Sequence, residues 1–301
     1  MFKTLIYEFL KKIRLLYFFY YLNTFLYKKE SYPINIKIKN EKYFLKKILN
    51  LSKDKTKNYW WNYKCNIFLN HLKLNGFSNF LRHPVILDTM FLRDVDYTKI
   101  ELSFLKKRIN LNLLYENNIG SPVLSKYFCK TSACLIHHAT HVEKFLKEFN
   151  VINKLNQVFE FGGGYGSLAR YILLKKYSLD YTIYDFKVFN ILQNFYLSNL
   201  FTTKKVNFFN SINKLNKFKF KKNSLFISTW ALSETPIELR EQFRIFIIKF
   251  NYILIAFQKK VDGYENLEYF KGLFCNSNYE HRLFEIPYYK NNYYLFCKKL
   301  N

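Results

Sequence analysis

The segment Glu160-Phe161-Gly162-Gly163-Gly164-Tyr165-Gly166 constrains this chain more than any other feature. It follows the β-like run Gln157–Phe161, and Ser167 then opens an amphipathic helical stretch. A strand that stops at glycines and restarts as a helix is a βα turn. Glycines at 162, 164 and 166 let the backbone turn sharply and approach a ligand that a Cβ would block. In open α/β sheets such turns lie beyond the carboxyl ends of the strands, where ligands bind.

The surrounding pattern agrees with that placement. After the turn, Ser167–Lys175 reads as a helix, Tyr181–Tyr184 as a strand and Val188–Leu197 as a helix. Lys205–Phe209 and Leu225–Thr229 read as strands, Ile237–Lys249 as a helix and Tyr252–Phe257 as a strand. Alternating β and α elements predict a mostly parallel sheet covered on both faces. Near the end, runs at about 282–287 and 292–298 flank the polar turn Lys290-Asn291-Asn292 and read as an antiparallel pair. Upstream of residue 150 the spacing is mainly helical and glycine is scarce, with only Gly76 and Gly120. Helices are expected over Asn58–Leu72 and Cys134–Phe149, the latter with Leu135, His138, Val142, Phe145, Leu146 and Phe149 on one stripe.

Charge decides what the turn holds. A dinucleotide fingerprint wants glycine or alanine where Ser167 stands, and Glu160 beside the turn would repel a diphosphate. S-adenosyl-L-methionine has no phosphate, and its amino and sulfonium cations favour an acid at that place. Nineteen residues after Gly166 the second strand ends in Tyr184-Asp185. An acid at that tip accepts ribose hydroxyl protons in nucleoside-binding α/β folds. Glu160, Gly162, Gly164, Gly166 and Asp185 are therefore the expected cofactor contacts.

The run Phe159–Arg170, FEFGGGYGSLAR, resembles motif I of class I S-adenosylmethionine-dependent methyltransferases. With Tyr184-Asp185-Phe186, Leu192-Gln193, Tyr196-Leu197-Ser198 and Ser228-Thr229-Trp230-Ala231-Leu232-Ser233-Glu234, it more narrowly resembles the sugar O-methyltransferases of bacterial surface-polysaccharide genes. The resemblance spans about 155–260 and departs at Thr235, where methionine is expected. It implies a Rossmann-like α/β sheet of seven strands, mostly parallel, with a C-terminal antiparallel hairpin and a helical N-terminal region. It also implies that Phe186, Ser228 and Thr229 line the cofactor cleft, and that Glu234 lies where cofactor and acceptor meet. The chain then divides into a helical 1–150 region that caps the acceptor and a cofactor-binding catalytic domain over 151–301.

O-Methylation of a hydroxyl calls for a group that takes its proton. Glu234 is the leading candidate, against the alternative that it caps the helix from Ile237. On a helix His137 and His141 share a face, which fits first packing or solvent exposure and, as the functional alternative, a base or a two-histidine metal site facing the cleft. No third ligand accompanies them, so no metal is assigned. Asp262, Glu265 and His281 are weaker candidates. Tyr59, Trp60, Trp61 and Tyr63 offer flat faces on which a sugar ring can stack, and equally fit a core.

The formal charge of +26 is consistent either with an anionic partner or with compositional drift, since the lysines are spread in short pairs. A nucleic-acid methyltransferase is the first alternative. The Asn- or Asp-Pro-Pro-aromatic tetrapeptide of enzymes that methylate base nitrogens is replaced here by Ser228-Thr229-Trp230-Ala231, which leaves ribose or ring-carbon methylation of RNA. A non-catalytic binding protein retaining the fold is the second, against which the glycines and Asp185 are intact. Five scattered cysteines without a C-x-x-C pair predict a reduced, cytoplasmic protein. Leu15–Tyr27 is too short for a bilayer span of ~20 residues, so residues 1–28 read as a packed helix or a peripheral contact at the inner face of a membrane.

Overall fold

The computed structural model describes residues 31–52, 59–203, 206–274 and 278–300. The proposed membrane contact of residues 1–28 lies outside the described residues, as does the Tyr59 side chain. Among the described residues no helix is long and apolar enough to cross a membrane.

The N-terminal helices are α1 (Glu41–Leu49), α2 (Tyr59–Asn75), α3 (Pro84–Thr89), α4 (Thr98–Lys106) and α5 (Ala133–Phe149). Then come β1 (Gln157–Phe161), α6 (Ser167–Lys175), β2 (Asp180–Tyr184), α7 (Lys187–Leu200), β3 (Val206–Phe209) and β4 (Ser224–Thr229). The chain continues through α8 (Ile237–Ile247), β5 (Tyr252–Gln258), a short ribbon at 260–265, α9 (Asn266–Gly272), β6 (Tyr279–Glu285) and β7 (Asn292–Lys299). The seven strands lie in the order β3-β2-β1-β4-β5-β7-β6. The first five run parallel, and β7 pairs antiparallel with both β5 and β6. This is the seven-stranded, mostly parallel sheet with a reversed terminal hairpin that was expected, and most boundaries move by only one to three residues.

Side chains that alternate across a strand explain why these runs are apolar throughout. In β1, Val158 packs toward one face, and Phe159 and Phe161 toward the other. In β5, Tyr252, Leu254 and Ala256 take the first face, and Ile253, Ile255 and Phe257 the second. The first face is covered by α5, α6 and α7, and its cluster of buried side chains continues into Phe44, Phe68, Leu72 and Phe80 of the N-terminal region. The second is covered by α8 and α9 and is built on aromatic rings. Phe159 there meets Phe226 at 6.0 Å and Phe246 at 4.8 Å between centroids, contacts worth about 0.5–1.5 kcal/mol each beyond area burial.

Polar ties join the N-terminal region to the sheet domain. The Arg170 guanidinium on α6 is 2 % exposed and donates to Glu116 at 2.7 Å and to the Tyr115 carbonyl. Glu116 also accepts from Ser132 at 2.6 Å, and the Ser132 hydroxyl caps α5 by accepting from the Leu135 N–H. The Lys39 N–H donates to Asn199 of α7 at 2.6 Å.

Candidate functional site

β1 and β4 are neighbours, yet the helices that follow them leave for opposite faces of the sheet. A crevice opens beyond their carboxyl ends. It holds a cavity of about 1100 Å³, walled on the far side by Trp61 and the Leu87–Leu92 segment. Small-molecule sites commonly measure ~300–1,000 Å³, so there is room here for a cofactor and an acceptor together.

The glycine turn forms the cavity floor. Gly162 has φ 78°, and a Cβ there would sit 2.1 Å from the Ala231 Cβ, so neither backbone nor packing admits a side chain. A Cβ at Gly163 would meet Ile183 Cγ2 at 2.6 Å, a constraint that the spacing argument did not single out. Gly164 faces Met90 across the cleft. Gly166 is placed differently from the expectation. It does not line the cavity but starts α6 at φ 101°, packed against Tyr196 and Leu197. Its positive φ is reason enough for a glycine there.

Glu160 and Asp185 both line the cavity. Burial pushes the Glu160 carboxyl up to about 8, although the Tyr181 hydroxyl donates to it at 2.9 Å and works the other way. Burial likewise raises Asp185 to about 7, against donors that favour its ionised form. Those donors are the Phe186 N–H at 2.8 Å and the Gln193 side-chain amide at 2.7 Å. The same Gln193 nitrogen donates to the Gly164 carbonyl at 2.9 Å and so ties the glycine turn to the acid. Nothing local in the sequence points to this role of Gln193, because an i+8 partner on the next helix has no local signature.

Beyond β4, Thr229 lines the cavity, whereas Ser228 does not. The Ser228 hydroxyl is fully buried and accepts from the Leu232 N–H at 3.0 Å, closing the turn after the strand. Trp230 adopts φ 63° and ψ −39°, rare for a bulky residue. Two bonds hold it there, from its N–H to the Ala256 carbonyl at 2.6 Å and from Nε1 to Asn292 at 2.7 Å. The strained backbone turns the indole into the cavity wall. Glu234 lines the cavity as well, with its pKa raised by burial and Gln258 donating to it at 3.3 Å. The helix-cap alternative is not realised, since α8 starts at Pro236 without any side-chain cap.

The histidines separate. His137 and His138 line the cavity, and His141 does not. The expected shared face of His137 and His141 exists, with ring centroids 4.1 Å apart, but it points partly into the protein. His141 is fully buried, its Nδ1 2.5 Å from the Tyr294 hydroxyl, and burial holds its pKa well below the ordinary value. His138, expected on the apolar stripe, is half-buried at the cavity, and burial lowers it to about 3. His137 Nδ1 lies 2.8 Å from the buried Glu101 carboxylate of α4, a partner invisible to spacing because it is 36 residues upstream. Among the described residues no group of three His, Cys, Asp or Glu could hold a metal.

Aromatic rings complete the wall: Trp61, Tyr97, Trp230 and Tyr289. Trp60 is 46 % exposed and absent from the cavity, as is Tyr63, so among the described side chains of the expected aromatic cluster Trp61 is the one that reaches it. Asp262, Glu265 and His281 are exposed and also lie outside it.

No protein-family model and no curated protein matches the chain. Solved structures similar to it include an O-methyltransferase family protein from Burkholderia thailandensis, at 11% identity and TM-score 0.39, covering 56% of this chain and 60% of that one. The chain thus spans about three fifths of that protein's length. Magnesium protoporphyrin IX methyltransferase from Synechocystis PCC 6803 with bound SAM aligns at 12% identity and TM-score 0.45, over 79% of this chain and 97% of that one. An rRNA methylase from Streptococcus thermophilus aligns at 16% identity and TM-score 0.42, over 55% and 96%.

Proposed function

We propose that the protein is an S-adenosylmethionine-dependent O-methyltransferase acting on a sugar hydroxyl of a surface glycan or its precursor. The observation that carries this reading is the charge of the cleft. In a chain of +26, the cavity is lined by four carboxyl groups (Asp88, Glu160, Asp185 and Glu234) and one lysine, Lys187. Such a cleft, whose carboxyl groups can ionise as a cation enters, favours a cationic cofactor and a neutral acceptor, and among the described residues Lys187 is the one lysine or arginine lining it that could meet a phosphate.

The residues fit the cofactor. Gly162, Gly163 and Gly164 leave backbone bare along the floor, Glu160 would face the cationic methionine end, and Asp185 would accept from the ribose hydroxyls. The bound cofactor supplies a methyl group activated by its sulfonium. The chain supplies orientation and a site with little water, an effect worth up to ~7–11 kcal/mol in well-oriented reactions. Trp61, Tyr97, Trp230 and Tyr289 offer flat apolar faces suited to sugar rings, with Glu234 and Gln258 as polar partners for a hydroxyl. The resemblance of the motifs to sugar O-methyltransferases supports the same acceptor. RNA is disfavoured because among the described residues Lys187 is the one lysine or arginine lining the cleft that could neutralise its phosphates, leaving the +26 to drift or to an outer surface.

Purified protein given labelled S-adenosylmethionine and fractionated cell material is expected to label the polysaccharide or glycolipid pool. Label in ribonuclease-sensitive material would promote the RNA alternative.

The raised acids make a second prediction. Free Glu160 (about 8) and Asp185 (about 7) are partly protonated at neutral pH, and a cationic ligand favours their ionised forms. Binding of S-adenosylhomocysteine, which keeps the amino cation, should therefore release protons and tighten from pH 6 to 8. Calorimetry in buffers of different ionisation enthalpy reads this directly, and proton uptake would contradict it. In the free protein the sign is opposite. Both acids ionise near 4 when unfolded, so stability should fall as pH rises from about 4 toward 8.

Glu234→Gln removes a charged acceptor for the sugar hydroxyl and leaves α8 uncapped as before. Losing a charge-assisted hydrogen bond of about 1.5–3 kcal/mol should lower kcat/KM roughly 10- to 100-fold. S-adenosylhomocysteine affinity and melting temperature should hold. A fall in melting temperature with turnover spared would assign Glu234 to stability alone.

A further inference from the structure

We infer that Glu101 is a positioning residue that fixes His137 as the base taking the acceptor proton, an inference that rests on the methyltransferase reading above. His137 Nδ1 lies 2.8 Å from Glu101 Oε1, while the imidazole lines the cavity. The Glu101 side chain has no exposure, and a carboxylate so placed is costly unless it is paired. Two features of the fold favour an anion there: the first turn of α4 with its helix dipole, and the His137 ring as a partner at 2.8 Å. A buried pair of this kind is weak evidence for stability, since an apolar pair of similar volume often serves better. What it does accomplish is to choose a tautomer. A carboxylate can only accept, so Nδ1 must carry the hydrogen and Nε2 is left with its lone pair.

The surroundings hold this arrangement still. The Trp230 indole stacks on His137 at 5.2 Å and 24°, and the His141 ring crosses it at 4.1 Å. Tyr97 packs at 5.8 Å and Tyr289 at 6.3 Å. Burial raises the Tyr97 and Tyr288 hydroxyls far above the ordinary range, and the nearby Glu101 carboxylate adds to it, so both stay neutral. The strained Trp230 thus belongs to the same assembly as the base. Glu234 then holds the acceptor in place.

The step balances. The acceptor hydroxyl gives its proton to His137 Nε2 as its oxygen takes up the methyl group, and the sulfur keeps the electron pair of the broken C–S bond. The imidazolium so formed remains bonded through Nδ1–H to Glu101.

Two measurements test this. Long-range ¹H–¹⁵N correlation on histidine-labelled full-length protein at about pH 8, above the ordinary histidine range, reads the ring without any acceptor. The His137 resonance, identified by its loss in His137→Gln, should report hydrogen on Nδ1 only, and Glu101→Gln should mix the tautomers. Hydrogen on Nε2, a doubly protonated ring, or no change in Glu101→Gln would overturn the assignment. The kinetic arm uses the cell fraction that accepts label. His137→Gln should lower kcat by ~10²–10⁴ and Glu101→Gln by ~10–100, each with S-adenosylhomocysteine affinity unchanged. Glu101→Asp should recover part of the loss. The double variant should be no slower than His137→Gln, because the two act as one unit. Multiplying losses would give Glu101 a separate, structural role and sink the inference. A wild-type protein that labels no fraction would count against the methyltransferase reading, while the tautomer measurement would still decide what Glu101 does.

Discussion

Asp185→Ala is expected to abolish measurable binding of S-adenosylhomocysteine while leaving the fold intact. In the structure the Asp185 carboxyl is held by the Phe186 N–H and the Gln193 amide, both of which fix its direction. Two ribose hydroxyls donating to that carboxyl would form two charge-assisted hydrogen bonds, each worth about 1.5–3 kcal/mol. Losing both weakens affinity by roughly 10²–10⁴. Stability should change little or rise, because burial already disfavours the ionised acid. Asp185→Asn retains one acceptor oxygen and should fall between the two. Calorimetry gives the affinities and thermal melting the stability. Unchanged affinity in Asp185→Ala, with a native melting curve, would remove the cofactor assignment.

The second large effect concerns the tie between the N-terminal region and the sheet domain. Arg170→Met should leave Glu116 buried at 1 % exposure with Ser132 as a weaker partner. Removing one member of a buried pair typically costs about 3–5 kcal/mol, because the remaining charge cannot be solvated. For a chain of this size that corresponds to a melting temperature lower by about 10 °C. Glu116→Gln should cost less, since an amide oxygen still accepts from Arg170. Combining Arg170→Met with Glu116→Leu should recover much of the loss, because no charge then stays buried. A single variant that melts like the wild type would mean that the pair contributes nothing. The cleft is also expected to suffer, since Met90 and Trp61 reach it from the region that Arg170 and Glu116 anchor.

The elements of the sheet domain were legible in the chain because their causes are local. A run such as Tyr252–Phe257 is apolar at every position because both faces of a parallel strand are covered. A glycine-rich turn between strand and helix announces itself within seven residues. Glu160 and Asp185 were legible for the same reason, standing at strand ends whose positions follow from pattern alone.

What periodicity could not separate was a glycine that lines the cavity from one that only starts a helix. Gly162 and Gly166 differ by what packs against them, Ala231 in one case and Tyr196 with Leu197 in the other. Ser228 and Thr229 differ likewise, since adjacent strand residues point to opposite sides and the burial of each is set by other elements. Glu101 is the clearest instance. A helix with two lysines and one acid gives no sign that the acid is buried, and its meeting with His137 needs α4 and α5 packed side by side. Local sequence sets backbone conformation through sterics and spacing. Which side chains converge on the cleft depends on contacts between residues far apart in the chain, and those exist only once the sheet has closed under its helices.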